Sequence, residues 1–167
     1  EESIFDFTTE LGEQMVSLAK MINGGLQTPI YQLSLGGFDT HANQAEPHHD
    51  LWMSISKNIA AFFHEVDFSR KNISIAILSE FGRRPKENKS GGTDHGTAAP
   101  IILVSSKFKE SKVIGEHPSL QDLDENGNLK HHTSFLDVCH SLLVDLLSIP
   151  KALIKNTFIP SNYIALI

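Results

Sequence analysis

The chain has one cysteine, no long apolar run and no basic cluster, and each absence excludes a class of protein. A lone Cys139 excludes an internal disulfide, and its apolar surroundings, "FLDVCHSLLVDLL", predict a small buried side chain. No apolar run approaches the roughly 18 residues of a membrane-spanning helix. The net charge is −6 at pH 7, and no basic stretch is long enough to follow a phosphate backbone, which excludes a nucleic-acid surface.

The sequence also has no initiator methionine, and its first residues, "EESIFDFTTE", are acidic and lack a signal-peptide pattern. We therefore expect a fragment, the C-terminal part of a longer chain. Its 167 residues are 40% hydrophobic, which is enough for one core. We expect a single α/β domain over residues 1–167.

Apolar periodicity predicts alternating helices and strands. Helical spacing covers residues 11–22, 46–66 and 134–148, and strand-like runs cover 30–35, 73–78 and 100–105. Such alternation is typical of a three-layer α/β sandwich with a mostly parallel sheet. The segment 122–128, "DLDENGN", lacks the final glutamate of a calcium loop and is interpreted as a turn.

Two polar loops directly follow the first two predicted strands, at residues 36–44 and 79–96. In a parallel sheet with right-handed crossovers both loops leave the same edge, where ligands bind. Each loop carries an Asp/His pair: Asp39 with His41, and Asp94 with His95. The sequence therefore predicts that these four side chains converge.

Carboxylate oxygen and imidazole nitrogen together suit zinc, and also manganese, magnesium or calcium to differing degrees. Asp39 and His41 are two residues apart, so they point the same way in an extended segment. Asp94 and His95 are adjacent and need a turned backbone, which the neighbouring glycines permit. The alternative for "DTH" is an ordinary Asx turn.

Further polar residues in and near these loops are candidates for the same site. Glu80 follows the second strand and is a candidate ligand or general base. Arg83 and Arg84 match the geometry of a bound phosphate or sulfate, although surface arginines paired with Glu80 or Glu87 explain the pattern equally well.

Three stretches carry a resemblance to a known family: "GGFDTHANQ", "SEFGRRPKENKSGGTDHG" and "PSLQDLDENGNLKHHTSF". Over roughly residues 30–150 the chain resembles the bacterial domain of unknown function 1501 family, which is grouped with the alkaline-phosphatase-like superfamily. The resemblance implies a two-metal hydrolase of small phosphate or sulfate esters, exported or periplasmic. It implies that Asp39 and His41 hold one metal and that Asp94 and His95 hold the other.

The resemblance also implies what this chain would lack. The nucleophile and an early aspartate are expected upstream of residue 1. The usual superfamily spacing between the first Asp and its His is wider than in "DTH", which makes His48 a further candidate ligand. The late histidine is expected among His117, His131 and His132. The alternative function is a non-catalytic metal-binding or ligand-binding domain.

Overall fold

The computed structural model describes residues 5–67, 72–154 and 162–167. Within those residues there are four helices: α1 Glu10–Asn23, α2 Ala45–Glu65, α3 Phe135–Asp145 and α4 Lys151–Ile154. The described residues also form four strands: β1 Ser74–Ile77, β2 Gly82–Glu87, β3 Thr93–Gly96 and β4 Ile102–Ser105. No helix in the described part of the chain has the length and apolarity needed to cross a membrane.

The chain divides into two compact units. The first consists of Glu1–Lys71 together with Glu87–Asp94, and the second of Asn72–Lys86 together with His95–Ile167. Each is described by itself below. The expectation of a single α/β domain remains a prediction.

The first unit is built on the pairing of α1 with α2. The apolar residues of α1 recur every four positions at Leu11, Met15 and Ala19, and all three side chains are buried. On α2, Ala61 and Phe62 are buried as well. The helices expected near residues 11–22 and 46–66 are confirmed. The apolar stripe of α1, which has the helical period of 3.6 residues, lies on a helix that packs against α2.

A buried asparagine joins the start of α1 to the middle of α2. Asn58 is fully buried; its Oδ1 accepts the backbone N–H of Asp6, and its Nδ2 donates to the Thr9 hydroxyl and the Ser54 carbonyl. Thr9 in turn caps α1 by accepting from the N–H of Gly12. Every polar atom of the Asn58 amide is therefore paired, as its burial requires.

The predicted parallel sheet is wrong. In the described residues each sheet has two strands, and β1 pairs with β4 in antiparallel register, with Ser74 opposite Ser105 and Ile77 opposite Ile102. Parallel neighbours need a long crossover, which is usually a helix. The chain between β1 and β4 instead forms the β2–β3 sheet, so the predicted three-layer sandwich is not formed.

The predicted strand at 30–35 is also absent from the structure, which gives that segment no regular hydrogen-bonding pattern. The Gln14 side chain of α1 takes the place of a strand partner. Its Nε2 donates to the Ser34 carbonyl at 3.2 Å, and its Oε1 accepts the Ser34 N–H at 3.2 Å. Because a side-chain amide satisfies both backbone groups of Ser34, this stretch needs no neighbouring strand there.

In the second unit, α3 holds the C-terminal segment 162–167 through a row of side chains spaced by four residues. Asp137 Oδ1 accepts the N–H of Asn162, Ser141 Oγ accepts that of Ile164 at 2.8 Å, and Asp145 Oδ2 accepts that of Leu166 at 2.8 Å. The four-residue spacing of the helix face matches every second N–H of an extended chain. The predicted helix is confirmed, but its buried residues are polar.

Asp145 is the anchor of this contact, since it is 8% exposed and also accepts the Tyr163 hydroxyl at 2.8 Å. That hydrogen bond, with burial and the nearby charge of Asp145, raises the pKa of Tyr163. We predict that Asp145→Asn speeds amide exchange at Leu166 on the order of 10-fold or more, since a buried donor loses its charged acceptor, at a cost of about 1–3 kcal/mol.

The same variant should lower the pKa of Tyr163 toward its ordinary value. A raised tyrosine pKa stabilises the docked segment below the ordinary value and loses that contribution as pH rises through the raised one. Asp122→Asn is the control, because Asp122 is an exposed carboxylate whose Oδ1 contacts Lys130. Unchanged Leu166 exchange in Asp145→Asn would contradict this account of the segment.

Candidate metal centre

Asp39 lies at a tight turn in the irregular segment 36–44. The N–H of Thr40 donates to the carbonyl of Phe38 at 2.9 Å, so the chain bends at Asp39 before it reaches His41. The sequence predicted an extended segment here. The side chains of Asp39 and His41 are therefore brought together by a turn rather than by the alternation of an extended strand.

The tip of the β2–β3 hairpin docks on the end of this segment. The N–H of Asn43 donates to the Ser90 carbonyl at 3.0 Å, and that of Gln44 donates to the Gly91 carbonyl at 2.9 Å. The Thr93 hydroxyl donates to Gln44 Oε1 at 2.9 Å. Gln44 precedes α2 and makes no side-chain cap to it, so its amide is committed to the hairpin.

Asn88 fixes the hairpin tip and ties it to His41. Its Oδ1 accepts the N–H groups of Ser90 and Gly92, which is an Asx-type turn. Its Nδ2 donates to the carbonyl of His41 at 2.9 Å. One side chain therefore sets both the shape of the tip and its distance from the backbone of His41.

These contacts bring His41 between two carboxylates. His41 Nε2 lies 2.9 Å from Asp39 Oδ1, and His41 Nδ1 lies 3.9 Å from Asp94 Oδ1. The side chains of His41, Asp39 and Asp94 are 49%, 61% and 56% exposed. Solvent screens such pairs, so they add little to stability, and the group stays open to a dissolved ion.

Asp39, His41 and Asp94 are here called the trio, and the facing donor atoms of Asp39 and His41 fit a divalent metal. Carboxylate and imidazole are ligands for zinc, and carboxylates also suit manganese, magnesium and calcium. Asp39 Oδ1 and His41 Nε2 are 2.9 Å apart, which lets one ion contact both atoms at the bond lengths of about 2.0–2.2 Å usual for zinc.

Comparison with known proteins identifies a family. The profile of the family described as protein of unknown function (DUF1501) covers residues 7–156. The chain belongs to the DUF1501 family. No curated protein and no solved structure matches it. The resemblance found in the motifs is therefore confirmed for this family, whereas the alkaline-phosphatase-like superfamily is not shown.

His95 follows Asp94 in this DUF1501 chain but belongs to the second unit. Its ring stacks on that of Phe81, with centroids 3.9 Å apart and planes 11° from parallel. The guanidinium carbon of Arg83 lies 5.1 Å from the Phe81 centroid, and Glu80 is exposed. A metal-ligand role for His95 remains a prediction. So do the catalytic roles of Arg83 and Glu80.

The other candidates in the DUF1501 chain make contacts of a structural kind. In the first unit the half-buried ring of His48 meets Phe38 edge-on at 5.4 Å and Trp52 at 6.4 Å. These contacts fit packing, and a ligand role for His48 stays a prediction. In the second unit Arg84 donates to Asn128 Oδ1 at 3.2 Å.

Two further expectations concern the second unit. The loop 122–128 is a turn, as predicted: Asp124 accepts the N–H groups of Asn126 and Asn128. The side-chain hydrogen bond from Asn128 is the largest cause that lowers the pKa of Asp124. Cys139 is half-buried rather than buried, and burial still raises the pKa of its thiol.

Residues that sequence reasoning missed are those that position the trio: Asn88, Gln44 and Gly92. An added Cβ at Gly92 would lie 2.4 Å from the carbonyl carbon of His41 and 2.7 Å from the nitrogen of Ala42. The "NKSGG" pattern signals a turn, but only the fold reveals which segment the turn contacts.

We predict that Gly92→Ala in this DUF1501 chain weakens zinc binding by on the order of 10-fold or more. The added methyl group pushes the hairpin tip away from His41. Loss of the groups that support a metal ligand lowers metal affinity by about this factor. Isothermal titration with zinc measures the loss.

Gly36→Ala is the matched control. An added Cβ there meets no described atom within 4 Å, and Gly36 lies outside the positive-φ region. It should titrate like the unchanged chain. Equal zinc affinity in Gly92→Ala and Gly36→Ala would show that docking of the hairpin does not position the metal ligands.

Proposed function

We propose that this chain supplies divalent-metal ligands, with zinc as the preferred ion, to a metal-dependent hydrolase of phosphate or sulfate esters. The observation that carries the proposal is the placement of His41 between Asp39 and Asp94, at 2.9 and 3.9 Å. Asp39 and His41 are the residues that would hold the ion.

The way the trio is held supports a site rather than a chance surface contact. The hairpin tip is fixed to the segment before α2 by backbone bonds from Asn43 and Gln44, and to His41 by Asn88. Exposed ion pairs contribute little to stability, so the trio is held in place by these hydrogen bonds rather than by its own charges. Supported ligands in an open position are what a catalytic metal site requires.

The hydrolase part of the proposal draws on the motif resemblance. A bound divalent ion supplies a Lewis acid that polarises an ester oxygen and helps to generate a nucleophile at neutral pH. In this chain Arg83 carries the guanidinium that would bind the ester's anionic group. The nucleophile and a second metal at Asp94 and His95 belong to the proposal as the resemblance implies them.

A non-catalytic metal-binding domain is the alternative, and one observation favours it. Asp39 and His41 already contact each other directly at 2.9 Å, so these two side chains form a hydrogen-bonded pair on their own. Such a group can take up metal without performing chemistry. Only activity separates the two functions.

We predict that zinc binds the chain and that Asp39→Ala and His41→Ala each weaken binding by more than about 100-fold, since loss of an outer-shell partner alone costs about 10–100-fold. Isothermal titration measures this. His49→Ala is the matched control, because His49 is an exposed histidine on α2 that the proposed site does not include. Zinc binding that survives His41→Ala would overturn the site.

We further predict that the full-length gene product hydrolyses an aryl phosphate or an aryl sulfate, and that His41→Ala lowers kcat/KM on the order of 100-fold or more because the ion that polarises the ester is lost. His49→Ala should retain activity. Zinc binding without turnover on either ester would favour the non-catalytic function. Turnover unaffected by His41→Ala would place the chemistry elsewhere.

A further inference from the structure

We propose that Asp94 acts as a positioning residue, which favours the form of His41 with its proton on Nδ1 so that Nε2, the nitrogen that faces Asp39, binds the metal, and that Asp94 is not itself a ligand of that ion. The inference rests on the proposed zinc site at Asp39 and His41 and deepens it. It changes the role that the motif resemblance implies for Asp94.

The two ring nitrogens of an imidazole point away from each other. One ion therefore cannot bind both Nδ1 and Nε2 of His41. Asp39 faces Nε2 and Asp94 faces Nδ1, so the carboxylates lie on different nitrogens. Whichever nitrogen binds the ion, the carboxylate on the other nitrogen faces the remaining N–H.

The two distances decide which nitrogen binds. Two atoms bound to one ion at about 2.0–2.1 Å cannot be much more than about 4 Å apart, and at that limit the ion lies on the line between them. The pair of Nδ1 and Asp94 Oδ1, at 3.9 Å, is close to this limit. Nε2 and Asp39 Oδ1 are 2.9 Å apart, a separation that allows the bent angle between ligand, metal and ligand of an ordinary zinc site.

The charge of Asp94 then has a defined effect on His41. A carboxylate facing the N–H of a metal-bound histidine fixes the tautomer and the ring orientation, and makes the other nitrogen a better donor. The 3.9 Å separation is about 1 Å longer than a hydrogen bond, so the effect is electrostatic until the two groups approach.

Neighbouring contacts limit how far the two groups can move apart. The backbone of His41 is held by Asn88, and Thr93, the residue before Asp94, is held by Gln44. Asp94 thus comes from the hairpin and His41 from the segment it docks on. The pairing of the two elements is what brings the carboxylate to Nδ1.

The test is NMR of the chain with ¹⁵N-labelled histidine, titrated with zinc alone. The unchanged chain should show His41 metal-bound at Nε2 and protonated at Nδ1. Asp94→Asn should weaken zinc binding about 10–100-fold while Nε2 stays bound, and Asp39→Asn should weaken it further. Asp94→Glu, which keeps the carboxylate, should restore most of the affinity.

Several results would overturn the inference. Zinc on Nδ1, Asp94→Asn as damaging as Asp39→Asn, or Asp94→Asn with unchanged affinity would each remove the positioning role while leaving zinc binding in place. No zinc-dependent change of His41 in the unchanged chain would instead remove the proposed function and this inference with it. Amide spectra of each variant verify that it is folded.

Discussion

The geometry of the candidate site depends on one interaction, the docking of the β2–β3 hairpin tip on the segment that leads into α2. Two backbone hydrogen bonds and the Asn88 side chain make this contact, and Gly92 permits it because no Cβ separates the tip from the backbone of His41. Asp94 lies at the start of β3, only two residues beyond Gly92. Without this docking, nothing described within the first unit would bring Asp94 to His41.

The chemistry follows from the placement of an imidazole between two carboxylates in an open position. Burying an ion pair carries a high desolvation cost, whereas the side chains of this group are about half exposed and stay in contact with water. Such a group contributes little to the stability of the fold, but it is suited to binding a cation. The membership of the chain in a family of unknown function leaves the ester, and the reaction itself, to experiment.

The sequence was sufficient for the helices, but not for the sheet. Leu11, Met15 and Ala19 recur with a helical period, so α1 was predictable. The run at 30–35 is apolar enough for a strand, but the Gln14 amide, far away in sequence, pairs with Ser34 instead. The parallel order failed because no helix lies between β1 and β4, a signal the polar, glycine-rich stretch 79–97 already carried. Asp39, His41 and Asp94 were proposed as ligands from their residue types and remain predictions, whereas Asn88 and Gln44 act through long-range contacts that no local pattern encodes.

The central claim is that the trio binds a divalent metal through Asp39 and His41. The most direct measurement is an anomalous-difference map at the zinc edge from crystals of the chain grown with zinc. The account predicts a peak about 2.0–2.2 Å from both Asp39 Oδ1 and His41 Nε2. A fully loaded crystal with its zinc peaks elsewhere, and with Asp39 still bonded directly to His41, would contradict it.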